Sequence, residues 1–165
     1  MPSPDFVISR RFDAPPARVF AAFTEPARMQ QWWGPKGFSV AKAAMDLRVG
    51  GTYHYALRAP DGSTMWGKMV YREITPPNRI VWINSFSDEA GGTTRHPLAP
   101  TWPLEMLSTL TLDADGAGTV LTLTWSPLNP DAMERATFDA PMSHDSMKMG
   151  WTGTLDQLEA YLKAG

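Results

Sequence analysis

The alternation of apolar and polar positions divides the chain into a strand, two short helices, a long β-rich body and a final helix. Phe6 to Phe12, "FVISRRF", is rich in β-formers and reads as the first strand. Asp13 followed by Ala-Pro-Pro is a helix start, an acceptor side chain ahead of prolines that the first turn tolerates. Val19, Phe20 and Phe23 then recur at helical spacing. Thr24-Glu25-Pro26 is a second start, and "PARMQQWW" reads as another short helix, stopped by Gly34-Pro35.

Strand-like stretches divided by turn signals come next. "FSVAKAAMDL", "TYHYALRA", "TMWGKMVYREI" and "RIVWINSF" are separated by Gly50-Gly51, Pro60-Asp61-Gly62 and Pro76-Pro77-Asn78. After a break from Ser87 to Pro103, "LEMLSTLTLD" and "TVLTLTW" form a hairpin, making seven strands in mostly up-and-down antiparallel order. Met147, Trp151, Leu155, Leu158 and Leu162 lie four, four, three and four residues apart, the single apolar stripe of a long helix. Pro141 kinks that helix or divides it from a short one before it.

This order predicts one α+β domain over residues 1–165, a curved seven-stranded antiparallel sheet with the long C-terminal helix packed across it. A one-sided helix must bury its stripe, and an antiparallel sheet offers one apolar face to receive it. A curled sheet and a single helix enclose more volume than their backbones fill, so a cavity is expected. Strand parity points Tyr53 with Tyr55, Met69 with Tyr71, Trp82 with Phe86, and Met106 with Ser108 and Leu110 towards it. Met147, Trp151 and Leu155 face them from the helix. Trp32 and Trp33 are adjacent and cannot share one face. One ring packs on the sheet and the other lines the entrance; which is which stays open, and Trp33 is the candidate wall residue.

Composition sharpens this picture. Seven Trp, seven Phe, four Tyr and ten Met in 165 residues can line a broad interior with rings and thioethers. A plain core explains each ring singly; the binding role rests on their collective shape and on a few polar atoms among them. The net charge of −2 leaves no basic footprint for nucleic acid. No apolar run suits membrane insertion or a signal peptide, and the chain has no cysteine, so a cytoplasmic location is expected.

Candidate chemistry is sparse. His54, His96 and His144 fall at no metal-ligand spacing, and His144-Asp145 reads as a surface pair. No nucleophile elbow, phosphate loop or dinucleotide fingerprint occurs, so no catalytic residue, metal or cofactor is assigned. Arg10 shares parity with Ile8 and Phe12; a buried guanidinium there would need a carboxylate or anionic ligand, and the reading is a lip position or a surface ion pair, since a strand this short can be exposed at one end. Ser87 to Pro103 is long for a connection, against a median of about 4–6 residues, and reads as a lid or a dimer contact.

"FVISRRFDAPPARVFAAFTEPARMQQWWGP", "GGTYHYALRAPDG", "YREITPPNRIVW" and "GWTGTLDQLEAYL" together resemble the activator of heat-shock-protein-90 ATPase homologue-like family. That family belongs to the START-like (SRPBCC) superfamily, with the birch-pollen-allergen-like helix-grip fold. The resemblance runs from Phe6 to Leu162. It implies a hydrophobic cavity between sheet and C-terminal helix that takes a small apolar or aromatic ligand. The named activators are larger eukaryotic proteins with an additional N-terminal domain that this chain does not carry, so a chaperone partner is not the expectation. The reading is a small hydrophobic-ligand-binding protein, a homodimer being the commonest assembly open to it. The alternatives are a cavity enzyme of the polyketide cyclase/dehydratase type and a chaperone-cofactor-like interaction module in stress response.

Overall fold

The computed structural model describes residues 5–164. Strand β1 (Phe6–Phe12) leads into helices α1 (Pro16–Thr24) and α2 (Pro26–Met29). Strands β2 (Ser39–Met45), β3 (Thr52–Arg58), β4 (Thr64–Thr75) and β5 (Arg79–Ser87) follow as successive hairpins. After the short β6 (Thr93–Thr94) come β7 (Met106–Asp115) and β8 (Gly118–Pro127), then helices α3 (Ala132–Asp139) and α4 (Pro141–Ala164).

All pairings are antiparallel, in the order β1-β8-β7-β5-β4-β3-β2. β1 and β2 stand at opposite edges, so α1 and α2 carry the chain from one edge to the other. Hairpins then bring it back until β8 pairs with β1. Register shifts between Val40 and Lys42 and between Tyr71 and Glu73 insert an extra residue into β2 and β4. Such bulges bend strands and deepen the curl.

Three local expectations change. The sheet has eight strands rather than seven, because Thr93 and Thr94, inside the long break, pair with Ser87 and Phe86. Asp13 does not cap α1: Pro15 holds the cap position and makes no side-chain hydrogen bond, while Asp13 pairs with Arg11. Helix α2 ends at Met29, and the chain continues in turns, with the N–H groups of Trp32 and Trp33 both reaching the Met29 carbonyl. Gly34, at φ +114°, then redirects the backbone, a conformation that suits glycine.

Pro141 divides the C-terminal helices, as the first residue of α4. Asp131 and Glu134 form a capping box that starts α3. The stripe of α4 is buried on the concave face of the sheet, with Leu155 and Leu158 essentially sealed. Polar fastenings hold the far end of the helix. Arg10 meets Asp156 at 2.7 Å, so its partner is a carboxylate of α4, and Arg28 donates to the Tyr161 hydroxyl at 3.3 Å.

Candidate functional site

Side chains do not fill the space under the N-terminal half of α4. There lies a pocket of about 350 Å³, bounded by one end of β3, β4 and β5, by Met106 and Trp125 of β7 and β8, by the segment after β6, and by α4. That is within the range of small-molecule sites, towards its lower limit.

Trp33, Tyr55, Phe86, Met106, Met147 and Trp151, all expected as walls, line this pocket. Tyr53, Met69, Tyr71, Trp82 and Ser108, expected beside them, lie in solid core instead, as do Leu110 and Leu155. The physical reason is position along the strands. Tyr53 pairs with Met69, Tyr71 with Trp82 and Trp82 with Ser108, so these residues share the concave face but occupy its filled end. Alternation identifies a face; it carries no information on where along that face the packing stops.

The adjacent tryptophans separate. Trp32 is turned into the core, its ring edge-on to Phe23 at 4.7 Å and its Nε1–H donating to the Ala22 carbonyl at 3.0 Å, so it packs against α1. Trp33 faces the pocket. Its ring meets Tyr55 at 5.7 Å and Trp151 at 5.8 Å, and Trp151 meets Trp125 at 5.6 Å, all edge-on. Edge-to-face contacts of this kind hold rings in place beyond the gain from burial alone. The turn after Trp33 is held by Gln157 of α4, whose Nε2 reaches the carbonyls of Trp32, Gly34 and Pro35 at 3.2, 2.7 and 3.2 Å.

Several wall residues were not singled out from the sequence. Asn84 shares the parity of Trp82 and Phe86, and Gly67 stands opposite Tyr55, so both could have been found by alternation. Ser143, Ser146, Gly150 and Thr154 run beside Met147 at helical spacing, a stripe of small residues that the apolar stripe concealed. Trp102 and Ala99 enter the wall through tertiary structure. Glu134, only 6% exposed, accepts from Arg95 Nη1 at 2.8 Å and Leu104 N at 2.7 Å, while Arg95 also donates to the Trp102 carbonyl. These bonds fold the Ser87–Pro103 segment down beside the opening. The Asp131 backbone N–H, with lesser help from Arg95 and Leu104, holds the Glu134 carboxyl below its ordinary value against the opposing effect of burial.

Among the described residues, no Asp, Glu, Lys, Arg or His lines the pocket. Burial pushes the Tyr55 phenol well above its ordinary value, so the one titratable wall group is a neutral hydroxyl. A Cβ at Gly67 would lie 2.5 Å from the Tyr55 hydroxyl, so the glycine is what lets the phenol lie across β4. Tyr53 and Tyr71 carry buried hydroxyls without protein partners, also raised by desolvation, and both lie outside the pocket lining.

The histidines contribute no chemistry to the pocket. His54 faces away, stacked on Trp66 at 4.8 Å and bonded to the Asp88 carbonyl at 2.8 Å. His144 is half-buried, edge-on against Phe6 and Phe138, and Asp145 beside it is exposed. Among the described residues, no group of three or more His, Cys, Asp or Glu could hold a metal ion, and no helix is long and apolar enough to cross a membrane.

The family model described as Activator of Hsp90 ATPase homolog 1-like protein matches residues 13–163. No curated protein matches the chain. Among solved structures, a protein from Chromobacterium violaceum is 28% identical, with 96% of each chain covered and a TM-score of 0.71. A protein from Nitrosomonas europaea is 24% identical over 98% of this chain and 95% of its own, with a TM-score of 0.73. A protein from Arthrobacter aurescens is 24% identical over 98% and 87%, with a TM-score of 0.79. At the lower identities the likeness is one of fold.

Proposed function

This chain belongs to the Activator of Hsp90 ATPase homolog 1-like protein family, with its START-like helix-grip fold, and we propose that it serves as a binder of a small, uncharged, largely apolar molecule, held between the sheet and α4. One observation carries this reading: a pocket of about 350 Å³ walled by seven tryptophan, tyrosine and phenylalanine rings (Trp33, Tyr55, Trp66, Phe86, Trp102, Trp125 and Trp151) and, among the described residues, by no charged side chain. Tightly packed interiors leave few voids larger than a water molecule, so a space of this size beside edge-to-face rings is a feature of the site rather than of ordinary packing. An apolar guest covers ring surface at about 25 cal/mol for each Å² removed from water, and its few polar atoms can meet the hydroxyls of Ser143, Ser146 and Ser85.

Gly150 provides the test. It lines the pocket from α4, and a Cβ built there meets nothing within 4 Å. A leucine at this position projects into the open space without disturbing packed neighbours, and helix propensity favours it over glycine. The neutral dye N-phenyl-1-naphthylamine is expected to brighten saturably with the native protein. With Gly150→Leu its affinity should fall by about tenfold or more, while the melting temperature stays level or rises. Undiminished dye binding by a folded Gly150→Leu protein would refute the pocket as the site.

A further inference from the structure

We infer that Asn84 sets which polar group of the ligand lies against the sheet: its side-chain NH2 takes an acceptor atom of the guest, such as a ketone or ester oxygen. This rests on the pocket reading above and adds the chemistry of recognition at the sheet side of the site.

A carboxamide at the centre of an apolar sheet face needs a reason, because burying one unpaired is costly. Asn84 stands on β5 between Met69 of β4 and Met106 of β7, both 2% exposed, and two residues from Trp82, at 1%. Asn84 itself is half-buried rather than sealed, and it lines the pocket while Met69 and Trp82 do not. With sealed neighbours on three sides, the surface it shows is pocket surface.

The Trp82 indole fixes which end of the amide is shown. Its Nε1–H can only donate, and it reaches Asn84 Oδ1 at 3.2 Å. Trp82 lies towards the filled end, opposite Tyr71 and Ser108, so the amide oxygen is turned back to the core. The nitrogen diverges from that oxygen, away from Trp82 and towards the side of Phe86, where the pocket opens. Among the described residues, no hydrogen bond engages Nδ2. The hydroxyls of Tyr55, Ser143 and Ser146 also border the space, but a hydroxyl rotates and both donates and accepts, so it imposes no polarity on a guest. An amide nitrogen only donates, and this one is oriented from the core. Asn84 therefore discriminates where the hydroxyls do not.

Asn84→Asp is the decisive variant: one carboxylate oxygen still accepts the Trp82 N–H, and the other presents an acceptor where the donor stood. Three probes of similar shape, 2-acetylnaphthalene, 2-ethylnaphthalene and 2-naphthylmethylammonium, are titrated at pH 8 by quenching of tryptophan fluorescence. The native protein should hold the ketone about five- to tenfold more tightly than the hydrocarbon, the range of one net hydrogen bond, and the ammonium most weakly. In Asn84→Asp the ketone advantage should fall to about one or below. The ammonium should gain about tenfold or more, the range of a hydrogen bond to a charged group. Asn84→Leu should lose the ketone preference and gain nothing for the ammonium. An asparagine that only holds Trp82 would leave the ratios among the probes unchanged in both variants, whatever happens to the melting temperature. Unchanged ratios in either folded variant would therefore assign recognition to the hydroxyls and overturn the inference. Equal affinities for ketone and hydrocarbon in the native protein, a reading that needs no variant, would overturn it too, and both results leave the pocket intact. Binding of none of the three probes by the native protein would overturn the pocket reading, and this inference with it.

Discussion

The two halves of α4 share one helix and one partner sheet, yet they do different work. In the C-terminal half, Leu155, Leu158 and Leu162 close onto the core, and Gly153 brings the helix so near the turn after Trp33 that an added Cβ would lie 2.9 Å from Lys36 N. In the N-terminal half, Ser143, Ser146, Met147 and Gly150 face the pocket, and a Cβ at Gly150 meets nothing. Glycines three residues apart thus serve opposite ends, one permitting contact and the other leaving space. A helix can secure a fold with one half and leave room for a guest with the other, provided the secured half and its polar fastenings carry the stability.

The largest effect should come from the secured half. Leu158→Ala removes a side chain with no exposed surface, and urea titration should show a loss of about 2–5 kcal/mol. Met147→Ala borders existing space and should cost clearly less; equal losses would erase the distinction between the halves. Next is Gly153→Ala, where the added methyl meets backbone. The helix-propensity gain is outweighed by displacement of the Gly34–Lys36 turn, for a net loss of about 1–3 kcal/mol, read as a lower urea midpoint at unchanged slope.

A third measurement concerns the latch beside the open half. Glu134 is held below its ordinary value of 4.5 in the fold, so the unfolded chain takes up the proton first as pH drops. Its stabilisation is therefore complete above about pH 4.5 and is lost as pH falls through the lower folded-state value. The melting temperature of Glu134→Gln should lie below that of the native protein at pH 7, and the gap should narrow on acidification below pH 4.5. A gap constant with pH would mean that the carboxylate charge does not hold the segment. The smallest effect is at Gly150→Ala, a gain of about 0.5–1 kcal/mol from helix propensity alone; a loss there would mean that the open half is packed after all.

Much of the architecture was legible because it depends on periodicity. The period of two located β1 to β5 and the β7–β8 hairpin, and the spacing of Met147, Trp151, Leu155, Leu158 and Leu162 located α4. Pro141 marked the division between the last helices. Parity also marked the concave face, so Tyr55, Phe86, Met106, Met147 and Trp151 could be named as wall candidates. The extent of the pocket was not legible. Tyr53 and Tyr55 are equivalent by alternation, and only the opposing layer decides that one is sealed by neighbours and the other faces space. Long-range polar contacts left still less trace. Arg95 and Glu134 lie 39 residues apart, and no local pattern announces that their bond places Trp102 beside the opening.

The chain alone determined which segments become strands and helices, and which side of each is apolar, because hydrogen-bond geometry and burial impose fixed repeats on neighbouring residues. Tertiary structure decided that Trp32 joins the core while Trp33 faces the pocket, and that Gly153 is needed for contact while Gly150 leaves room. Those outcomes depend on where two layers stop touching, a distance set by sheet curvature and helix placement together. No residue encodes that distance through its own neighbours in sequence.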